Sequence, residues 1–252
     1  MQALPRHETI AIVGSIISIV LLAWTYLIIM AVDMGSITNM PSMPKPVWNL
    51  HYFLLMFLMW AIMMVGMMLP SVLPTVLIYA AIARKAKKDE SAIASVSIFV
   101  SGYLTIWLSF SLFTTGLQWY FDYLGLLSAM MKINNATFAA WLLILTGIYQ
   151  CLPLKDACLQ HCRSSVEFFR DHWRQGAIGA FTMGLHHGLF CLGCCCLLMS
   201  LLFFGGVMSL LWIAAISVFV LLEKILPFAL IGAKITGILM IVAGTGLFVT
   251  IL

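Results

Sequence analysis

Residues 176–204 read GAIGAFTMGLHHGLFCLGCCCLLMSLLFF. The run holds no Asp, Glu, Lys or Arg. It exceeds the roughly 20 apolar residues that carry a helix across a bilayer. No alternation of apolar and polar residues marks it as a barrel strand, so a helix must satisfy its backbone in lipid. The same run carries two adjacent histidines and four cysteines. Fold and chemistry are therefore posed by one segment.

Working outward, six further apolar segments stand at residues 10–32, 50–83, 92–117, 136–154, 207–222 and 229–252. Together they predict an all-α fold, a polytopic transmembrane helical bundle of about seven spans, forming a single integral membrane domain over residues 1–252. Pro70 and Pro74 are expected to kink or end the membrane part of the second segment. The first segment lacks a small-x-small cleavage site and is expected to stay as a mature helix. Residues 155–175, with Phe168, Phe169 and Trp173 among charges, read as an interfacial helix along the inner surface.

Composition agrees. Of 252 residues 63% are apolar and only 9% charged, and the mean hydropathy is +1.08. Soluble domains carry roughly 25% charged residues. A soluble enzyme, a disordered chain and a nucleic-acid-binding module are thereby excluded. Basic residues set the orientation. With the N-terminus inside, Arg6, Arg84, Lys85, Lys87, Lys88, Lys155, Arg163, Arg170, Arg174, Lys224 and Lys234 fall on the cytoplasmic side, and only Lys45 and Lys132 outside. The expected location is a cytoplasmic (inner) membrane, N-terminus in and C-terminus out.

The seven cysteines form two clusters. Cys158 and Cys162, in YQCLPLKDACLQHC (149–162), are four apart and share a helix face with His161 nearby. Cys191, Cys194 and Cys195 have i, i+3, i+4 spacing, and His187 continues the stripe one turn earlier. Soft thiolates select Cu(I), zinc or iron–sulfur clusters. Three readings stay open: a metal site, thiol–disulfide chemistry at Cys191-x2-Cys194, and small residues for tight helix packing. Against the second, no cation other than His186 and His187 stands near in sequence to hold a thiolate. The glycines of residues 176–193 are expected to bring the fourth segment against the fifth. Cys191 nevertheless begins about 22 Å along the fifth helix. One shared site with Cys158 and Cys162 thus requires a re-entrant turn, a broken helix or a later helix start, and two separate sites are the alternative.

Methionine is the third feature. Met56, Met59, Met63 and Met67 form a stripe beside Met64 and Met68, and the outer loop adds Met34, Met40 and Met43. Such stripes usually provide adaptable packing, but thioethers also suit Cu(I). Glu223 reads either as half of an interfacial pair with Lys224 or as a counter-ion facing the bundle. No P-loop, Ser–His–Asp set or paired-carboxylate motif is present, so catalytic residues are not identified and a single-chain ATP-driven pump is excluded.

The chain resembles the bacterial family of predicted metal-binding integral membrane proteins, formerly a domain of unknown function. The resemblance rests on WAIMMVGMMLP (60–70), GYLTIW (102–107), GIYQCLPLKDACLQHCR (147–163), GLHHGLFCLGCCCLLM (184–199), GVMSLLW (206–212) and Glu223–Lys224. It implies metal binding by Cys158, Cys162, Cys191, Cys194 and Cys195, with Glu223 as a further candidate. Cys196 stands where that family more often has tryptophan, and Ser165 where proline is common.

The expected ligand is a soft transition metal, copper favoured over zinc, with His187 a lesser ligand. The expected function is handling or delivery of that metal through a membrane-embedded cysteine site. The alternatives are a membrane metalloenzyme, a thiol oxidoreductase or an assembly subunit of a larger complex. The expected partners are the bilayer and a metal chaperone or membrane complex.

Overall fold

The computed structural model describes residues 4–37, 48–86, 93–128, 131–226 and 229–250. Lys45, Lys87, Lys88, Met40 and Met43 lie outside the described residues. Among the described residues the chain is helical throughout, with α1 (Arg6–Ile37), α2 (Leu50–Ala86), α3 (Ile93–Tyr123), α4 (Ala136–Cys151), α5 (Pro153–Arg163), α6 (Ser165–His172), α7 (Gly176–Ser200), α8 (Leu202–Gly205), α9 (Leu210–Ile225) and α10 (Ala229–Val249). Five helices, α1, α2, α3, α7 run on through α8, and α10, are long and apolar enough to cross a membrane. The bent pair α4–α5 makes a sixth candidate. Helix α9, at 16 residues, spans about 24 Å.

Helices α1 to α3 run antiparallel. Arg84 pairs with Glu8 at 3.0 Å, which puts the start of α1 beside the end of α2. At the other end Trp48 donates to Asp122 at 2.7 Å, joining the start of α2 to the end of α3. Helix α2 continues through Pro70 and Pro74 rather than ending there. Buried neighbours spare the freed carbonyls of a proline helix from bare hydrocarbon, and Ser71 and Val72 between the prolines are buried.

Two helix pairs meet backbone to backbone. A Cβ at Gly102 would fall on the Phe181 carbonyl oxygen, and one at Gly184 on that of Phe99, so α3 and α7 touch where neither has a side chain. Gly147 and Gly237 do the same for α4 and α10. The expectation that the glycines of α7 seat the fourth segment is corrected accordingly: Gly184 and Gly188 face α3. Only Gly193 turns toward the chain that follows α4, meeting Cys158. Between these pairs lies a core in which Trp60, Met63, Met64, Met68, Phe99 and Tyr103 are fully buried. Aliphatic side chains of α1 and α10, such as Leu22 and Val242, face outward.

Residues 155–175 do not form one surface helix. They break at Ser164 into α5 and α6, and Lys155, Leu159, Cys162, Phe168 and Phe169 are buried. The aromatic side finds protein in place of a membrane surface: Phe169 packs on Tyr79 and Phe99, and Phe168 on His187. Ser165 bonds Thr75 on α2 at 2.7 Å.

Candidate metal centre

Helix α7 supplies most of the centre by its regularity. Three- and four-residue spacings stack side chains on one face, and His187, Cys191, Cys194 and Cys195 are all buried there. Cys196, one step round the helix, is only half-buried.

Cys162 arrives by a different route. Helix α4 stops at Cys151, Leu152 is extended, and Pro153 opens α5. Proline suits a first helical turn because its missing N–H is unpaired there anyway. The two helices meet at a 64° bend, and α5 then lies beside the middle of α7. Cys162 Sγ comes to 4.0 Å from Cys194 Sγ. The Tyr149 hydroxyl donates to the Gly193 carbonyl, tying the end of α4 to the same turn of α7. A broken helix, one of the arrangements that a shared site allows, is therefore present.

A buried polar group pins the bend. Lys155 is fully buried, donates to Gln150 Oε1, and pairs with Glu223 Oε1 at 2.7 Å. Gln150 Nε2 reaches the same carboxylate oxygen at 3.4 Å. Glu223 thus pairs with Lys155, not with its chain neighbour Lys224. The sequence reading counts Lys155 among the cytoplasmic cations of a non-membrane stretch; its ammonium is buried inside the protein. Burying two charges is costly, and mutual attraction offsets the cost only with good geometry and further hydrogen bonds.

Lys224 points the other way. Its Nζ donates to Cys191 Sγ at 2.9 Å and to Ser71 Oγ at 2.8 Å. The Tyr103 hydroxyl lies 3.2 Å from the same sulfur and donates to the Met68 carbonyl at 3.3 Å. A cation next to Cys191 was not found from sequence, where Lys224 reads as an end-of-helix charge. Tyr103 lies within the GYLTIW piece, but no rule of spacing links it to a cysteine 88 residues later.

His187 is buried among the rings of Phe99, Tyr103 and Phe168, and its Nδ1 has no hydrogen-bond partner among the described residues. Cys158 is half-buried against Gly193. Cys151 is exposed, its nearest polar contact the Lys234 carbonyl at 3.9 Å. All seven cysteines are free thiols. Among the described residues no three His, Cys, Asp or Glu side chains close on one ion. Cys162 and Cys194 do approach one another. Two sulfurs about 2.3 Å from a common ion and 4.0 Å apart subtend about 120° at it.

The fold and the site define an all-helical protein with five membrane-length helices and a buried thiol cluster. The chain belongs to the PpoB2 copper chaperone family, whose model matches residues 57–247. The matched stretch takes in α2 nearly from its start and every cysteine. Neither a curated protein nor a solved structure matches the chain.

Proposed function

We propose that the protein is an integral membrane copper chaperone that takes up Cu(I) as cargo on the thiolates of Cys162, Cys191 and Cys194 and passes it on. Cys158, Cys195 and His187 serve as neighbouring ligands during arrival or departure. The observation that carries this reading is the 4.0 Å approach of Cys162 to Cys194 across the α4–α5 break, within a chain of a copper chaperone family.

Copper is favoured over zinc because thiolate sulfur is a soft donor that suits Cu(I) and the chain belongs to a copper chaperone family. The Lys224 ammonium beside Cys191 offsets part of the negative charge that three thiolates leave on a monovalent ion. Glu223 holds the bend through Lys155 and acts as a positioning residue in this scheme, not as a ligand. The membrane arrangement proposed is seven spans, N-terminus cytoplasmic and C-terminus outside, in the cytoplasmic membrane. The shared end of Arg84 and Glu8, with Arg6 nearby in sequence, accords with it.

A second reading has one observation in its favour. The Lys224–Cys191 contact is the cation that a reactive thiolate needs, so dithiol chemistry at Cys191 and Cys194 is the competing function. One experiment separates the two. Protein purified anaerobically and reconstituted in proteoliposomes is loaded with Cu(I) and offered an acceptor chelator. Stoichiometric copper that moves to the acceptor within minutes, and is lost in C162S/C194S, supports delivery. Absence of bound copper, with a Cys191–Cys194 disulfide forming on mild oxidation, would move dithiol chemistry to first place. A reagent that cannot cross the bilayer should label Lys132→Cys from outside and Arg170→Cys only after permeabilisation; the reverse inverts the proposed orientation.

A further inference from the structure

At the end of α2 remote from the thiol cluster, a second group of soft donors converges on one buried amide. Gln118 Nε2 lies 3.1 Å from Met131 Sδ and 3.6 Å from Met56 Sδ. Its Oε1 accepts from Trp60 Nε1 at 2.6 Å. All four residues are buried, Gln118 and Trp60 almost completely. Thioether sulfur is a weak acceptor, so this amide has given both its donor contacts to atoms that repay a hydrogen bond poorly. For a buried polar group that is an expensive arrangement.

The backbone adds an independent observation. Met131 has φ 55°, the only non-glycine residue with positive φ among the described residues. That backbone position would be served better by glycine or asparagine. A residue held in a sparsely populated backbone region points to what its side chain does, and here the side chain delivers a sulfur to Gln118.

The geometry points to a second metal site, in which the thioethers of Met56 and Met131, held by Gln118 and covered by Trp60, take a soft monovalent cation. It rests on the copper-handling reading and extends it. Neutral thioethers suit Cu(I) and leave its charge uncancelled, whereas thiolates cancel it. The thioether site is therefore the weaker of the two, and transfer from it to the cysteines runs downhill. A route exists along the same helix. Met59, Met63 and Met67 follow Met56 at helical spacing and are buried. Met68, about 18 Å beyond Met56 along the axis, offers its carbonyl to Tyr103, which touches Cys191.

The test uses the full-length protein in detergent with Ag(I), which shares the charge and softness of Cu(I) without its redox chemistry. Metal bound per chain is counted by mass for the wild type, M56L/M131L and C162S/C194S. Leucine conserves the volume of methionine, so the fold should tolerate the first pair. The expected result is loss of one Ag(I) equivalent in M56L/M131L, with that equivalent retained in C162S/C194S. Unchanged stoichiometry and affinity in M56L/M131L overturn the thioether site while leaving the thiol centre intact. Loss in M56L/M131L with no loss in C162S/C194S keeps the thioether site and defeats the thiol reading. A measurement that needs no mutation stands behind these. In selenomethionine-labelled protein saturated with Ag(I), X-ray absorption should find selenium in the first shell around silver. A shell of sulfur alone overturns the proposal.

Discussion

Helices α7 and α5 bring thiols to the same place by opposite means. On α7 one uninterrupted helix sets the spacing, and the glycine contact with α3 fixes which face turns inward. On α5 position depends on a broken helix, and the break depends on Lys155, Gln150 and Glu223 from three different elements. Local regularity withstands most substitutions. A bend held by one buried ion pair does not, because removing either partner leaves a charge with nothing to answer it. The contrast suits the proposed chaperone, in which one ligand would be fixed and another free to disengage.

The largest effect should come from breaking the clamp. Glu223→Ala leaves the Lys155 ammonium buried and unpaired, which costs about 3–5 kcal/mol. Thermal unfolding in detergent should show the loss, and Cys162 should become reactive toward a small alkylating agent while Cys191 stays protected. Replacing both charges, as in K155M/E223L, should recover most of the stability. If E223A unfolds no earlier than the wild type, the ion pair does not hold the bend.

Next in size is an attack on the regular partner. In Gly184→Ala the new methyl meets the Phe99 carbonyl oxygen on α3, and backbone cannot yield as a side-chain tip can. Overpacking of this kind costs about 1–3 kcal/mol. Gly14→Ala, inside α1 where a Cβ meets nothing within 4 Å, is the control and should match the wild type or gain up to about 1 kcal/mol from the lost freedom of a helical glycine. Equal melting temperatures for the two variants would remove the glycine contact as the reason for the facing of α7.

These two cases also mark how far the sequence can be read. The α7 stripe of His187, Cys191, Cys194 and Cys195 follows from periodicity alone, and the structure buries it. The long apolar helices are legible for the same reason: length and composition decide them. That a shared site would take a re-entrant turn, a broken helix or a later helix start follows from depth arithmetic, yet which of these occurs, where, and with what partners does not. Lys155 reads as a surface cation because nothing local says that Glu223 will meet it. Ser71, Tyr103 and Lys224 escape for the same reason, since each touches the site from a separate helix. Only tertiary packing brings them together.

A smaller effect is expected from Cys162, the proposed ligand that the bend delivers. Cys162→Ser removes one soft donor and leaves Cys191 and Cys194 in place, so Cu(I) affinity should fall by about tenfold or more, which corresponds to about 1.4 kcal/mol, with little change in melting temperature. Competition against a colorimetric Cu(I) chelator reads the shift. An unchanged affinity would mean that α7 alone binds the metal and that the approach of α5 is incidental.

The smallest effect should come from the cysteine that sequence alone places in the same cluster. Cys151 precedes Cys158 by seven residues, a spacing that on a continuous helix would return it to the same face two turns away. The break at Leu152 cancels that relation. Cys151 ends α4, is exposed, and meets the Lys234 carbonyl on α10 rather than any thiol of the centre. Cys151→Ser should therefore leave stability within about 0.5 kcal/mol and leave Cu(I) stoichiometry and affinity unchanged. Its thiol should also be the first of the seven to react with a maleimide, since Cys162, Cys191, Cys194 and Cys195 are buried. Loss of copper in C151S would mean that Cys151 shares the centre with Cys162, which a chain bent by 64° between them and held there by Lys155 cannot accommodate.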